Sequence, residues 1–168
     1  MPAGAEITAL CATPTMGVWI GTPTGLLNVR DGREQWWTQR EGLPDDRVHC
    51  LSYGGNDSLW VGTQKGFSRI HADEIDSFLP EDGLSQSTVY SVHEDREGSL
   101  WVGTKHGLNQ FADRRTLPFT TREGLPSNDV GPVLQDRDDV IWVGTHDGGL
   151  AHYDGHGFTV ITTEAGLP

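Results

Sequence analysis

The chain has 168 residues, enough for one hydrophobic core without a second domain. Twelve Lys and Arg against 24 Asp and Glu leave a net charge of −12, which repels nucleic acid and anionic membrane at long range and argues against both as partners. No apolar run reaches the roughly 18 residues of a membrane helix, and Met1 to Glu6 lacks the basic and apolar regions of a signal peptide. The chain is therefore expected to be either cytosolic or a piece of a longer exported protein.

Many glycines and short β-branched or aromatic stretches predict an all-β, turn-rich protein, and the strands recur along the chain. The first, Ile7 to Ala12, returns as Val48 to Tyr53, Val89 to Glu94 and Val130 to Gln135. The second is Val18-Trp19-Ile20-Gly21-Thr22, repeated around Trp60, Trp101 and Trp142 in steps of 41. The third, Gly25 to Arg30, returns as Gly66 to His71, Gly107 to Ala112 and Gly149 to Asp154, and the fourth carries Trp37, Phe78, Phe119 and Ile161 at one place. A Gly-Leu link follows each copy, at Gly42-Leu43, Gly83-Leu84, Gly124-Leu125 and Gly166-Leu167. The extra residue of the last copy falls at Gly148-Gly149, in a loop.

Four short antiparallel strands in about 41 residues make one β-propeller blade. The expected fold is all-β, with four four-stranded antiparallel blades at about 5–42, 46–83, 87–124 and 128–166. Positions that stay apolar in every copy, such as Ile7, Val48, Val89 and Val130, or Leu10, Leu51, Val92 and Val133, are expected to form the core. Strand alternation puts Leu59, Val61 and Thr63 on one face and Trp60 and Gly62 on the other. Trp19, Trp60, Trp101 and Trp142 thus read as packing between blades, with Gly21, Gly62, Gly103 and Gly144 making room for a neighbour's bulk. Cys11 and Cys50 have no metal or disulfide spacing and read as small strand residues.

The motifs Leu100-Trp101-Val102-Gly103-Thr104-Lys105-His106-Gly107-Leu108 and Gly124-Leu125-Pro126-Ser127-Asn128 resemble the two-component regulator propeller repeat, and the resemblance runs along essentially the whole chain. It implies a sensor region of a bacterial signalling receptor, usually exported to the periplasm, preceding a membrane helix and a histidine kinase or cyclase output domain. A more distant resemblance is to propeller lyases such as streptogramin lyase, whose catalytic residues the repeat does not carry.

Rings usually have four to eight blades, so this array is expected to belong to a larger ring or to pair with a second copy of itself. Within the fixed Gly-Thr-x-x-Gly frame the two turn residues vary strongly: Pro23-Thr24, Gln64-Lys65, Lys105-His106 and His146-Asp147. Variable loops on a rigid scaffold are where binding residues sit. The candidate ligand residues are Gln64, Lys65, Lys105, His106, His146 and Asp147, with Asp46 and Asn128 from the links at the same end; a small molecule or glycan is the expected ligand. No cofactor or metal is expected: the Asp95 and Asp136 turns lack calcium-loop spacing, and His152 and His156 have no zinc partners. Catalytic motifs are absent, and the chain is read as a binding module, the alternatives being a propeller lyase or hydrolase using His106 and His146 as acid and base, or a purely structural unit.

Overall fold

The computed structural model describes residues 6–112 and 115–161. The link around Gly166, and the outer limits expected for the first and last blades at 5 and 166, lie outside these residues.

Sixteen strands form four separate antiparallel sheets, each a four-strand meander. Blade 1 is β1 (Ala9–Thr13), β2 (Gly17–Thr22), β3 (Gly25–Arg30) and β4 (Arg33–Trp37). Blade 2 is β5 (Val48–Gly54), β6 (Ser58–Thr63), β7 (Gly66–His71) and β8 (Glu74–Phe78), with one 3-10 turn, Pro80–Asp82, after it. Blade 3 is β9 (Val89–Glu94), β10 (Leu100–Thr104), β11 (Gly107–Ala112) and β12 (Arg115–Phe119). Blade 4 is β13 (Val130–Gln135), β14 (Ile141–Thr145), β15 (Gly149–Tyr153) and β16 (Phe158–Ile161).

The blades stack through one repeated contact. Each of three apolar clusters joins the Trp-bearing face of one blade to the opposite face of the next. Trp19, Leu26 and Trp37 meet Val48, Leu59, Val61 and Ile70; Phe67 meets Val89, Val92, Leu100 and Val102; Trp101 and Leu108 meet Val130, Val133, Ile141 and Val143. Leu43, Leu84 and Leu125 of the links are buried in the same clusters. The strand glycine is the notch that permits this approach. A Cβ placed on Gly21, Gly62 or Gly103 would lie 2.7, 2.8 or 2.8 Å from the Cγ1 of Val48, Val89 or Val130 in the following blade.

Ile7 and Leu10 depart from the expected core. They are 54% and 67% exposed, whereas Val48, Val89 and Val130, the counterparts of Ile7, are fully buried. Burial at these positions comes from the blade before, and none of the described residues supplies one for blade 1.

The bottom turns explain a second feature. The Asp95 carboxylate accepts amide hydrogen bonds from Glu97 and Ser99 and one from the Trp101 indole at 2.7 Å. Asp136 does the same for Asp138, Val140 and Trp142, and the indole bond is the largest reason its carboxyl titrates below the ordinary range. Blade 2 has Gly54 at that place, and Trp60 donates instead to Glu94 of blade 3 at 2.6 Å. The turn of blade 1 carries Thr13-Pro14-Thr15-Met16, and the Trp19 indole nitrogen is buried without a partner among the described residues.

Replacing Gly103 by Val overfills the notch between blades 3 and 4, and urea unfolding should show a loss of about 1–3 kcal/mol. Gly144→Val should cost less, because the atoms nearest a Cβ there belong to Pro132 at 3.0 Å and beyond, whereas at Gly103 they include Ser91 Oγ and, at 2.8 Å, Val130 Cγ1. A pH effect follows from His93, which sits opposite Trp101 on the face toward blade 4 with Nε2 buried and unpartnered. Burial pushes its imidazole below the ordinary value despite the pull of Asp95 and Glu94, so the unfolded chain takes up the proton first. Stability held above about pH 6.5 should therefore fall as pH drops below it, and His93→Gln should flatten that part of the urea midpoint profile.

Candidate functional site

The turn between the second and third strands is built the same way in every blade. The Thr hydroxyl of the Gly-Thr-x-x-Gly frame donates to the carbonyl of the closing glycine, at 2.8 Å in blades 1 and 2, 3.0 Å in blade 3 and 2.9 Å in blade 4. Its oxygen also accepts an amide from inside the turn, from Thr24, Lys65, His106 and Gly148. The backbone is clamped from within, so the two variable side chains are free to differ.

These turns and the links between blades share one end of the array. The Gln64 amide donates to the Arg47 carbonyl at 3.1 Å, and the His146 amide to the Asp129 carbonyl at 3.0 Å. Lys65 pairs with Asp45 at 2.9 Å. Burial raises the Asp45 carboxyl, but hydrogen bonds from Lys65 and the Arg47 amide outweigh it and hold the group below its ordinary range. Lys105, His106 and Asp147 are exposed on their turns. Asp46 and Asn128 occupy equivalent places and hold the link loops, accepting the amides of Gln39 and Thr121 at 2.7 and 2.8 Å. Within those loops Glu41 and Glu123 accept both the hydroxyl and the amide of Thr38 and Thr120, which keeps their carboxyls below the ordinary range.

Two residues not singled out from the sequence join this end. The pairing of β5 with β6 skips His49, and that of β9 with β10 skips Tyr90, each a β-bulge at the top of a first strand. Bulges re-aim a side chain, and here they bring three rings into a row. His49 and Tyr90 lie 5.6 Å apart between centroids, and Tyr90 and His146 6.1 Å apart. Blade 4 has Gly131 at the bulge position, and a Cβ there would lie 3.5 Å from His146 Cε1, so the missing side chain leaves the space that His146 of the turn fills. The positions Thr8, His49, Tyr90 and Gly131 are 41 apart and vary between constant apolar neighbours, the same signal that marked the turns.

The row is braced at both ends. His49 Nε2 and Gln64 Oε1 are 3.1 Å apart, and the Gln64 amide group donates to Thr88 Oγ1 of the next link at 3.1 Å. His146 Nδ1 faces Asp129 Oδ1 at 3.2 Å. Beside the row is a cleft of about 410 Å³ lined by the first strands of blades 2 to 4, with Leu51, Tyr90, Val92, Pro132 and Val133, and by His146 of the blade 4 turn. It offers apolar walls, an aromatic face and one imidazole, which suits a small molecule with a flat or ring-shaped face. Cys50 also borders it, but burial pushes its thiol up to about 12, which leaves no thiolate for nucleophilic chemistry near neutral pH. The structure thus joins His146 to His49 and Tyr90, and His146 is paired with Asp129. Among the described residues no group of three or more His, Cys, Asp or Glu stands close enough to hold a metal ion, and no helix is long and apolar enough to cross a membrane.

Solved structures with the same architecture include the extracellular domain of the hybrid two component system BT3049 from B. thetaiotaomicron, with TM-score 0.82 and 21% identity over 99% of this chain and 23% of that one. The extracellular domain of BT4673 from the same organism superimposes with TM-score 0.77 and 27% identity, over 100% of this chain and again 23% of that one. Virginiamycin B lyase from Staphylococcus aureus matches at TM-score 0.74 and 17% identity, over 96% of this chain and 57% of the enzyme. The chain therefore spans about a quarter of the length of the two extracellular domains. No curated protein matches it in sequence. The two component regulator propeller model matches residues 42–65, 83–106 and 124–147, each running from a Gly-Leu link through the Trp strand to the variable turn. The chain thus carries the two component regulator propeller repeat three times in register, within a fold that it shares with the extracellular domains.

Proposed function

We propose that this chain is a ligand-sensing propeller segment of a bacterial two-component signalling receptor, displayed outside the cytoplasm. It takes a small polar molecule or glycan in the cleft beside His49, Tyr90 and His146. The observation that carries the reading is the ring row itself, with spacings of 5.6 and 6.1 Å, assembled from three different blades. A sugar ring stacks on the Tyr90 face, while His146 of the cleft wall, held by Asp129, is placed for its hydroxyls. The net charge of −12 favours a neutral or cationic ligand over an anionic one. Because the rings come from separate sheets, a ligand bridging them alters the packing of blades 2, 3 and 4, which is a route for the signal to an output domain. The extracellular domains that share the fold support the compartment.

A second reading rests on the pair His146 and Asp129. A carboxylate 3.2 Å from Nδ1 orients an imidazole for acid or base chemistry through Nε2, and the fold is shared with virginiamycin B lyase. The sensing reading is preferred because three blades contribute rings to one row, whereas the acid and base reading rests on the single pair His146 and Asp129.

The deciding measurement is thermal unfolding against a panel of neutral sugars, oligosaccharides and small polar metabolites, followed by mass analysis of the recovered compound. A bound compound at about 100 times its Kd should add about 2.7 kcal/mol of stability. Tyr90→Ala and His146→Ala should abolish the shift, whereas Lys105→Ala/His106→Ala should keep it. Absence of stabilisation by every compound would count for a purely structural unit, and a chemically altered compound for the enzyme.

A further inference from the structure

The array ends in two unlike faces, and each is one half of the contact that the interior uses three times. Blade 1 presents the half that is normally covered. Ile7, Leu10 and Val18 are exposed there and Ile20 half-buried, while of their counterparts in blade 2 Val48, Leu59 and Val61 are fully buried by the Trp face of blade 1 and Leu51 is half-buried against it. Blade 4 presents the half that normally covers. Leu134, Trp142 and His152 stand in one cross-strand row, Gly144, Leu150 and Ile161 in the next. Leu134 is 51% exposed, and Trp142 and Leu150 are half-buried where Trp19, Trp101, Leu26 and Leu108 are buried.

The valine is also missing at this end. Gly21, Gly62 and Gly103 each receive a valine of the following blade, whereas the three atoms nearest a Cβ on Gly144 all belong to Pro132 of its own blade, at 3.0 to 3.6 Å. Ile7, β-branched like Val48, Val89 and Val130, is the residue at the matching place on the other face.

We propose that a second copy of this chain docks head to tail, its blade 1 on the blade 4 face of the first, with Ile7 entering the Gly144 notch and Leu10 and Val18 covering Trp142 and Leu150. The occupant is argued from continuity with the interior contact: both faces keep the residues of that contact, in the same register. Unlike faces make a heterologous interface, which closes into a ring if the rotation permits and otherwise extends. Two copies supply eight blades, within the usual range of four to eight. This inference is independent of the ligand reading, since it uses neither Tyr90 nor His146.

The test is multi-angle light scattering of the full chain and of two variants, Leu10→Glu and Leu134→Glu. Both positions are largely exposed in the single chain, so each variant should keep its fold, which circular dichroism checks. The unmodified chain should run at twice the monomer mass or at a higher multiple. Each variant alone should run at the monomer mass. An equal mixture of the two should return to twice that mass and go no further, because only one intact head and one intact tail remain to pair. A monomeric unmodified chain overturns the proposal and leaves the faces to further blades of a longer polypeptide. Association that survives either variant, or a mixture that stays monomeric, overturns it as well.

Discussion

One constraint organises this molecule: two twisted sheets must approach closely enough for a valine methyl to enter the space where a side chain would otherwise begin. Gly21, Gly62 and Gly103 exist for that approach. A glycine in a strand weakens the strand itself, so the contact it permits has to stabilise the pair of blades by more than the strand loses. The buried clusters around each notch, with a tryptophan on one side and branched aliphatics on the other, supply that stabilisation. The link leucines close the same clusters from the end, which ties the chain's path between blades to the packing of the blades.

The period of 41 and the strand alternation were enough to assign sheets, faces and the packing role of Trp19, Trp60, Trp101, Gly21, Gly62 and Gly103, because those features depend on nearest neighbours in sequence or in the adjacent copy, whereas Trp142 and Gly144 meet no such neighbour among the described residues. Ile7 and Leu10 were placed in the core by the same reasoning and are exposed. Their burial depends on a blade before the first, and a residue's own repeat says nothing of whether a preceding repeat is there. The indole bonds were also hidden. Asp95 and Asp136 read as turn formers, which they are, but the second carboxylate oxygen of each also serves a tryptophan six residues on.

The site was legible in part. The turn criterion found His146, and it found Gln64, whose role is to brace His49. Asp46 and Asn128 were marked by position, and Oδ1 of each accepts a loop amide. His49 and Tyr90 were not singled out, because the bulge that re-aims each of them in the first strand leaves no residue-type signature. Only the variation at Thr8, His49, Tyr90 and Gly131 marked the place.

The exchange at Gly131 has a consequence for how such a row varies. In blades 2 and 3 the ring comes from a bulge in the first strand, whereas in blade 4 the turn between the second and third strands supplies it and the bulge position carries glycine. The same place at the end of a blade is thus reached from two positions of one repeat, and a residue lost at one is replaced from the other while the frame between them stays unchanged.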